Sequence, residues 1–552
     1  MPHVQAVLST QQEDFLQWMF ESDPPRDAGS VSVAVRLTAV FDPHLLRRAL
    51  TLLTLRHEAL RTTCRAAGGT LEVAIADTLE PEVRLVRAAG DTPAEREAEA
   101  VRLAHAERMR MNDVTRRPLV RALVIELAPR AHVVVLSVHH FAFDGWSMGI
   151  VLTELGVLYS ALSAEHPDPL RLLRPLPMTY GAYCAWTRRQ WSLNQPYWDA
   201  LLRGAPPALG PFPGRRPAVR FRRRVHRFEI DAALGSGLRA AARARRASPF
   251  MAVTACWTAL LAAWTGSEDI VLMSPVPGRT LPEHNGIVGC LVQSMYLRID
   301  AGGAPGYGEL LDRTRAAVLD ALAHQTHAYH RLRPQIPYPS RIHYESWRVG
   351  PQLPGLPSEP FPLPRDPEEL DWAAPPGTAD LSAPTLVIEE RGDGSMAAAV
   401  VYNAYGYAPR TAALLAESFC DHIRVMVTDP GRRPAARRGR PSPSSDRKAT
   451  PTMSVTPSVT PSVTPPAEPG VTEQPAFTGL ELQIHQIWCE VLGLTRIGPQ
   501  EDLLELGAHS LTINQIAVRV HARLGADLPL YVFYEDPTIP GIAAAVRAAR
   551  AE

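Results

Sequence analysis

The strongest hydrophobic pattern in the chain lies between residues 133 and 155. Residues 133–138 are apolar apart from Ser137, which is typical of a strand buried on both faces. Farther along, apolar residues recur at helical spacing and predict a helix that packs back on this strand: Trp146, Ile150, Val151, Leu155 and Leu158. Between the two elements, Asp144-Gly145 predicts a turn.

Similar patterns predict further elements on both sides of this segment. Before it, residues 30–37 alternate as in a half-buried strand, and residues 45–55 have helical spacing. After it, a buried helix from Met251 precedes predicted strands at 269–275, 386–390 and 397–402 and a helix from Thr411. Residues 351–376 are rich in proline, which predicts a long loop.

The composition changes sharply from Arg432 onward. The tetrapeptide Thr-Pro-Ser-Val occurs at 456–459 and again at 460–463. Repeats of Pro, Ser and Thr cannot bury a core, so this stretch is predicted to be an extended, semi-rigid linker. A linker of this kind implies a mobile module beyond it.

That module runs from about Thr478, with a predicted helix at 480–492 and a second helix after a loop at 502–511. Ser510 stands where this loop meets the second helix. A phosphate on its hydroxyl would meet free backbone amides and the positive end of the helix dipole. The alternative is that Ser510 only caps the helix.

The charge balance narrows the possible functions. The 552 residues contain 57 Lys plus Arg and 57 Asp plus Glu, so no overall basic field favours nucleic acid or an anionic membrane. Seven arginines fall within residues 215–227, where a solvated strand or a surface for an acidic partner is favoured over nucleic-acid binding. Lys448 is the only lysine. We therefore expect no ATP-dependent activation that relies on a Walker A, Schiff-base or adenylating lysine.

Cysteine usage and apolar runs point to a soluble cytoplasmic protein. The six cysteines are scattered without a CxxC pair, as is typical of a reducing compartment: Cys64, Cys184, Cys256, Cys290, Cys420 and Cys489. Polar residues occupy the N-terminus where a signal peptide would have its apolar core. The longest nearly apolar run, 251–264, is too short for a membrane span.

His139 and His140 end the predicted buried strand. Consecutive strand residues point to opposite faces, so one histidine should face a reactant while the other supports the loop. The same geometry argues against a metal shared by the two rings. His324, His327 and His330 recur every three residues, but helix geometry spreads them around the helix, and we predict no metal site.

The spacing His139-His140-Phe-Ala-Phe-Asp144-Gly145, HHxxxDG, resembles the core motif of condensation domains of nonribosomal peptide synthetases and of their relative chloramphenicol acetyltransferase. Other stretches resemble further motifs of this family: Leu8–Gln12, 56–63, Tyr180 to Trp186, Gly278 to Ser294 and His324-Gln325. Two stretches depart from the family pattern. Cys290-Leu291 and Gln293-Ser294 replace the usual residues, and 338–343 match the seventh motif poorly.

Residues 502–511 resemble the LGGxS phosphopantetheine site of peptidyl carrier proteins, with Ala508 at the second glycine. The following residues are similar to the rest of a carrier domain: Leu528-Pro529-Leu530, Phe533, Pro537-Thr538-Ile539 and Ile542-Ala543. The resemblance implies that Ser510 carries a covalent 4'-phosphopantetheine arm. Together the two resemblances cover almost the whole chain outside the linker.

The resemblance implies an α/β fold of two chloramphenicol acetyltransferase-like lobes in a V-shaped condensation domain, followed by a four-helix carrier domain. We expect the lobes at 1–175 and 176–430, the linker at 431–475 and the carrier at 476–552. His140 would be the active imidazole, as base or as positioning group. His139 and Asp144 would hold the loop, Gly145 would permit its turn, and Arg279 would pair with Asp144.

The implied reaction joins a donor acyl thioester on an upstream carrier protein to an acceptor amine. No adenylation domain separates the condensation and carrier regions, so a stand-alone adenylation enzyme would load the carrier in trans. Other expected partners are a phosphopantetheinyl transferase and a downstream synthetase or release enzyme. Two rival functions remain open: ester formation with a hydroxyl acceptor, and a non-catalytic scaffold that recruits a partner enzyme. Epimerases share the motif but normally follow their carrier.

Overall fold

The secondary structure alternates between helices and strands over most of the chain. The computed structural model describes residues 4–5, 8–20, 29–67, 70–110, 119–207, 209, 212, 215–216, 218, 220–326, 332, 339–345, 353–363, 371–373, 383–434, 477–492, 494–504, 506, 508, 510–526 and 528–551. Strands β1 to β15 span Val4–Gln5, Ser30–Leu37, Thr62–Ala67, Thr70–Ile75, Glu82–Arg87, Val120–Ala128, Ala131–His139, Arg220–Ile230, Asp269–Val276, Gln293–Asp300, Ser340–Glu345, Ser358–Pro360, Asp371–Ala373, Thr385–Glu390 and Met396–Asn403. Helices α1 to α13 span Thr10–Phe20, Pro43–Arg56, Pro93–Met109, Gly145–Ser163, Tyr180–Leu202, Ala232–Ala244, Pro249–Thr265, Tyr307–Ala323, Pro409–Thr428, Gly479–Leu492, Ser510–Leu524, Val532–Glu535 and Ile539–Ala551.

The predicted strand at 133–138 is the centre of a five-stranded sheet in the order β12-β2-β7-β6-β5. Strand β7 pairs antiparallel with both neighbours, β2 and β6. Its alternate residues enter two different cores: Val134, Leu136 and Val138 pack with α2 and α4, whereas Val133 and Val135 pack with α3. The strand is therefore buried on both faces, as its unbroken apolar pattern predicts.

A strand from the second half of the chain completes this first sheet. Residues Ser358, Glu359 and Pro360 of β12 pair antiparallel with Leu37, Arg36 and Val35 of β2. The prediction of one long loop over 351–376 is thus wrong for β12 and also for β13. A strand of three residues is too short to leave an alternating pattern in the sequence, and here its sequence is Ser-Glu-Pro.

The second sheet has seven strands in the order β10-β9-β11-β14-β15-β8-β13. Helix α7 is the buried helix predicted from Met251, since most of its side chains are inaccessible to solvent. The arginine-rich run contributes β8, which pairs with β15 on one side and β13 on the other. Strands β9 and β10 form an antiparallel pair whose connection, residues 277–292, extends toward the first sheet.

The C-terminal module consists of helices α10 to α13 in the part of the chain that the structure describes. Its core contains Trp488, Ile513, Val520 and Phe533, all fully buried. Helix α11 begins at Ser510, as predicted, although the side chain of Ser510 and residues Gly507 and His509 lie outside the described structure. His327, His330 and Tyr338 lie outside it as well.

One described helix, α4, is long and apolar enough to cross a membrane by length and composition alone. More than half of its apolar stretch is buried within the protein, where it packs on the first sheet. Helices α6 and α7 satisfy the same criterion only as a pair, and they are bent by 100° where they join. The core packing of α4 accounts for its apolar character.

Candidate active site

The HHxxxDG segment folds as the end of a strand, a short turn and the start of a helix. Strand β7 ends at His139, a 3-10 turn spans His140–Ala142, and Asp144 caps helix α4. The prediction of a turn at Asp144-Gly145 is therefore wrong, because Gly145 is the first residue of the helix. The chain reverses earlier, in the 3-10 turn, and the Asp144 carboxylate accepts the amide of Ser147 as a helix cap.

His139 faces the interior of the protein. Its side chain is fully buried, and Nδ1 accepts a hydrogen bond from the Phe141 amide at 3.0 Å. That bond fixes the 3-10 turn against the end of the strand. The arrangement places His139 in the fold rather than beside a reactant.

His140 is only partly buried and offers one ring nitrogen for chemistry. Its Nδ1 lies 2.7 Å from the Phe143 carbonyl oxygen, which can only accept, so Nδ1 carries the proton in the neutral ring. Nε2 is then left with its lone pair. Burial lowers the pKa of His140 below its ordinary value, which keeps the imidazole neutral near pH 7. The ring packs on Phe15 with centroids 4.9 Å apart.

Asp144 and Arg279, expected to pair from the resemblance, form a buried ion pair. Arg279 Nη1 donates to Asp144 Oδ2 at 2.8 Å, and Nη2 donates to Oδ1 at 3.2 Å. The carboxylate also accepts from the Ser147 amide, the Ser147 hydroxyl and the Leu291 amide. The Arg279 charge and these hydrogen bonds hold the pKa of Asp144 below its ordinary value despite the burial. With this many donors, the carboxylate is fully committed to the fold.

Ser147 and the backbone of Gly289 are neighbours of this ion pair that were not among the predicted site residues. The Ser147 hydroxyl lies 3.0 Å from the Gly289 carbonyl oxygen and 3.1 Å from the Gly289 amide nitrogen. It also accepts from Arg279 Nη2 at 3.2 Å. These contacts fasten the 277–292 connection to the start of helix α4. The only local signal in the sequence was the position of a serine three residues after the capping aspartate.

Two glycines permit this close approach of the two chain segments. A Cβ on Gly278 would lie 1.9 Å from the Leu291 carbonyl oxygen, and Gly278 has a φ of +67°. A Cβ on Gly289 would lie 2.3 Å from the ring of Tyr180. Any larger residue at either position would push the connection away from Asp144.

The segment Leu8–Gln12 holds helix α1 beside the histidines. The Ser9 hydroxyl accepts from the Gln12 amide and Gln12 Oε1 accepts from the Ser9 amide, which is a capping box. The other end of the Gln12 carboxamide, Nε2, donates to the Phe141 carbonyl oxygen at 3.3 Å. The motif therefore sets both the start of the helix and its distance from the 3-10 turn.

Cys290, one of the departures from the family pattern, lies beside His140. Its sulfur is 3.9 Å from His140 Nδ1, and the side chain is fully buried. Burial raises the pKa of the Cys290 thiol, with a further contribution from the charge of Asp144. Because Nδ1 already carries a proton that it donates to Phe143, it cannot take a proton from this thiol. The pair does not have the arrangement of a Cys-His catalytic dyad.

The described residues contain no group of three or more His, Cys, Asp and Glu side chains that could hold a metal ion.

Ser510, the residue predicted to carry the phosphopantetheine arm, has one feature that suits a phosphate. Ser510 is the first residue of a helix of 15 residues, where unpaired backbone amides and the helix dipole favour a phosphate.

Two family models match the chain. Residues 4–342 match the condensation domain, and residues 483–546 match the phosphopantetheine attachment site. Phosphinothricin tripeptide synthetase PhsC of Streptomyces viridochromogenes is 30% identical over 433 residues, which cover 75% of this chain and 39% of the synthetase. Chondramide synthase cmdD of Chondromyces crocatus is 28% identical over 445 residues, 78% of this chain and 11% of that protein. The chain thus spans well under half the length of these relatives.

Solved structures share the fold. The X-domain from teicoplanin biosynthesis superposes with a TM-score of 0.65 at 24% identity and covers 78% of this chain and 97% of its own. The condensation domain from the Monacolin K polyketide synthase MokA gives a TM-score of 0.64 at 16% identity, covering 79% of this chain and 100% of its own. The two matched domains occur in the order that the sequence predicts. The chain belongs to the condensation-domain family of nonribosomal peptide synthetases, and a phosphopantetheine attachment domain follows its condensation domain.

Proposed function

We propose that this chain catalyses amide bond formation between a carrier-bound donor acyl thioester and an acceptor amine. The observation that carries this proposal is the state of His140: a partly buried, neutral imidazole whose Nε2 keeps its lone pair because Nδ1 donates to Phe143. An attacking amine benefits from such a group, since it must lose a proton as it is acylated.

In the proposed reaction the amine nitrogen attacks the thioester carbonyl carbon, the new C–N bond forms and the C–S bond breaks. His140 Nε2 accepts a hydrogen bond from the amine and either takes its proton or orients its lone pair toward the carbonyl. The proton lost by nitrogen ends on the sulfur of the departing thiol. No metal or oxidant is needed for this balance.

We propose that the remaining motif residues hold the site in its shape and do not contact the substrates. His139 fixes the 3-10 turn, and Asp144 caps helix α4 while binding Arg279 and the Leu291 amide. Gly145 begins the helix next to this cap. Arg279 draws the connection between β9 and β10 onto the motif, so both halves of the chain contribute to one site.

The partners follow from the order of domains. A phosphopantetheinyl transferase would add the arm to Ser510, and the arm would hold an acyl group as a thioester. The phosphopantetheine attachment match at 483–546 follows the condensation match at 4–342, and we propose that a separate adenylation enzyme loads the carrier in trans. An upstream carrier protein would supply the donor, and a downstream synthetase or release enzyme would accept the product. We place these reactions in the cytoplasm.

Two rival functions have specific support. A hydroxyl acceptor would meet the same imidazole and give an ester. A scaffold function is favoured by one neighbour of the same fold, an X-domain solved in complex with OxyB from teicoplanin biosynthesis, which matches with a TM-score of 0.64 at 22% identity. The partly buried, neutral imidazole with a lone pair on Nε2 favours catalysis over the scaffold.

Intact-protein mass spectrometry tests the proposal. The chain is converted to its phosphopantetheine form, loaded on Ser510 with a panel of aminoacyl groups and their hydroxyacyl counterparts, and mixed with a donor carrier bearing acyl groups. We expect the donor mass to move to the Ser510 arm in the parent and in His44→Ala, an exposed-histidine control, but not in His140→Ala. Transfer only to hydroxyacyl arms would establish the ester. A loaded chain that receives no donor from any member of the panel would overturn catalysis in favour of the scaffold.

A further inference from the structure

Gln11 has a buried carboxamide whose oxygen is unused by the fold. Its side chain is 5% exposed, and Oε1 is buried without a hydrogen-bond partner. The neighbouring Gln12 contrasts with it, since both ends of the Gln12 carboxamide are bonded, to Ser9 and to Phe141. A buried acceptor without a partner destabilises the fold, so such groups call for an explanation.

The geometry of helix α1 gives the direction in which Gln11 points. Phe15 packs on the His140 ring. At about 100° per residue, Gln11 projects about 40° from Phe15, one turn earlier on the same face of the helix. Gln11 therefore lies on the face of α1 that packs on His140.

The chemistry of an unpaired acceptor selects the group that it can bind. An oxygen acceptor repels the developing oxyanion of a thioester carbonyl, which needs donors. It binds an N–H or O–H instead. An attacking amine has more than one such proton, so it can donate one to His140 Nε2 and another to Gln11. An attacking hydroxyl has one proton, which His140 already uses.

We propose that Gln11 Oε1 binds the acceptor amine and orients its lone pair toward the thioester carbonyl. This inference rests on the proposed amide-forming function and adds a substrate-binding residue to it. It also gives the site a preference for nitrogen over oxygen acceptors. No covalent bond to Gln11 forms or breaks.

The decisive variant is Gln11→Met, which keeps the length of the side chain and removes the acceptor. With a glycyl group on the Ser510 arm, we expect transfer to slow about 10- to 100-fold, the usual effect of losing one hydrogen bond to a reacting group. With the glycolyl arm, the same variant should transfer at the parental rate. The melting temperature should stay unchanged or rise, because a buried unpaired acceptor has been removed.

Thr10→Val is the matched control. Thr10 is 1% exposed and its Oγ1 is also buried without a partner, but it projects about 100° away from Gln11 on the same helix. We expect parental transfer to the glycyl arm. Equal losses in both variants, a fall in melting temperature that accompanies the loss in Gln11→Met, or an unchanged rate in Gln11→Met would each overturn the proposal. If the proposed amide-forming function itself is wrong, the parent protein will transfer no acyl group to the glycyl arm, which distinguishes that result from a failure of the Gln11 proposal.

Discussion

The Arg279 guanidinium donates to both carboxylate oxygens of Asp144 across 135 residues of sequence, and both side chains are buried. This pair joins the start of helix α4 to the connection between β9 and β10. Together with the contacts of Ser147 with Gly289, it fastens that connection to the HHxxxDG segment. Its consequences for stability and activity can be measured separately.

Asp144→Asn should lower the free energy of unfolding by about 3–5 kcal/mol, because it leaves the buried Arg279 charge without its counter-charge. Denaturant unfolding of the full chain followed by tryptophan fluorescence measures the loss. Arg171→Ala is the control, since its ion pair with Asp168 is 85% and 50% exposed and should leave the unfolding curve in place. An Asn variant as stable as the parent would mean that the pair contributes no net stability.

Gly278→Ala should destabilise the protein by more than the strain of its φ alone. The new Cβ would lie 1.9 Å from the Leu291 carbonyl oxygen, so the Leu291 amide would be pushed from Asp144. Gly266→Ala separates the two effects, since Gly266 has a φ of +71° and no atom within 4 Å of the added Cβ. We expect about 1 kcal/mol of destabilisation for Gly266→Ala and at least twice that for Gly278→Ala, with loss of acyl transfer in the latter alone. Equal effects would refute the close contact.

Acid should destabilise the condensation domain through its buried histidines. Burial lowers the pKa of His284 to about 4, with the Arg279 charge adding to the effect, and burial lowers the pKa of His422 to about 4. Both groups ionise near pH 6.5 when unfolded, so the unfolded chain binds more protons between these values and stability falls as the pH falls from about 6.5 to about 4. Each histidine changes the free energy of unfolding by at most about 1.4 kcal/mol per pH unit in this range.

His422→Gln should flatten this slope when unfolding is measured by denaturant at several pH values in that window. Parallel slopes in the parent and the variant would show that His422 titrates normally in the folded protein. His44→Ala, an exposed histidine on helix α2, should leave the slope unchanged and serves as the reference.

Cys290→Ala should retain acyl transfer within about threefold of the parent. The thiol has a raised pKa and faces a ring nitrogen that is already protonated and bonded to Phe143, so it cannot act as a nucleophile through His140. The intact-mass assay measures the rate, and Cys184→Ala, another buried cysteine, controls for lost packing. A loss of 100-fold or more, confined to the Cys290 variant, would assign the thiol a part in the reaction.

Local patterns predicted much of this molecule. Strand β7 and helix α4 follow directly from the apolar spacing, and the opposite directions of consecutive strand residues predicted that His139 and His140 have different surroundings. The helix start at Ser510 followed from the loop and the periodic segment after it. Structural features that depend on residues within about ten positions of one another could be predicted from the sequence.

Contacts between distant segments needed the structure or a family resemblance. Arg279 was assigned to Asp144 only through the resemblance, and the Leu291 amide and the Gly289 backbone carry no side-chain signature at all. Gln11 and Gln12 look equivalent in the sequence, yet one is bonded at both ends and the other has an unpaired oxygen. Such differences depend on which face of a helix meets which neighbour.

Strand β12 makes the folding of the first half of the chain depend on the second half. It pairs with β2, and Phe361 just beyond it is buried in the core with Val133 and Val135. A fragment that ends near residue 175 would lack this strand and would expose the edge of β2, which invites pairing with other molecules. We expect such fragments to be insoluble when produced alone, so gene fusions and domain exchanges should keep residues up to about 434 together and cut in the predicted linker that follows.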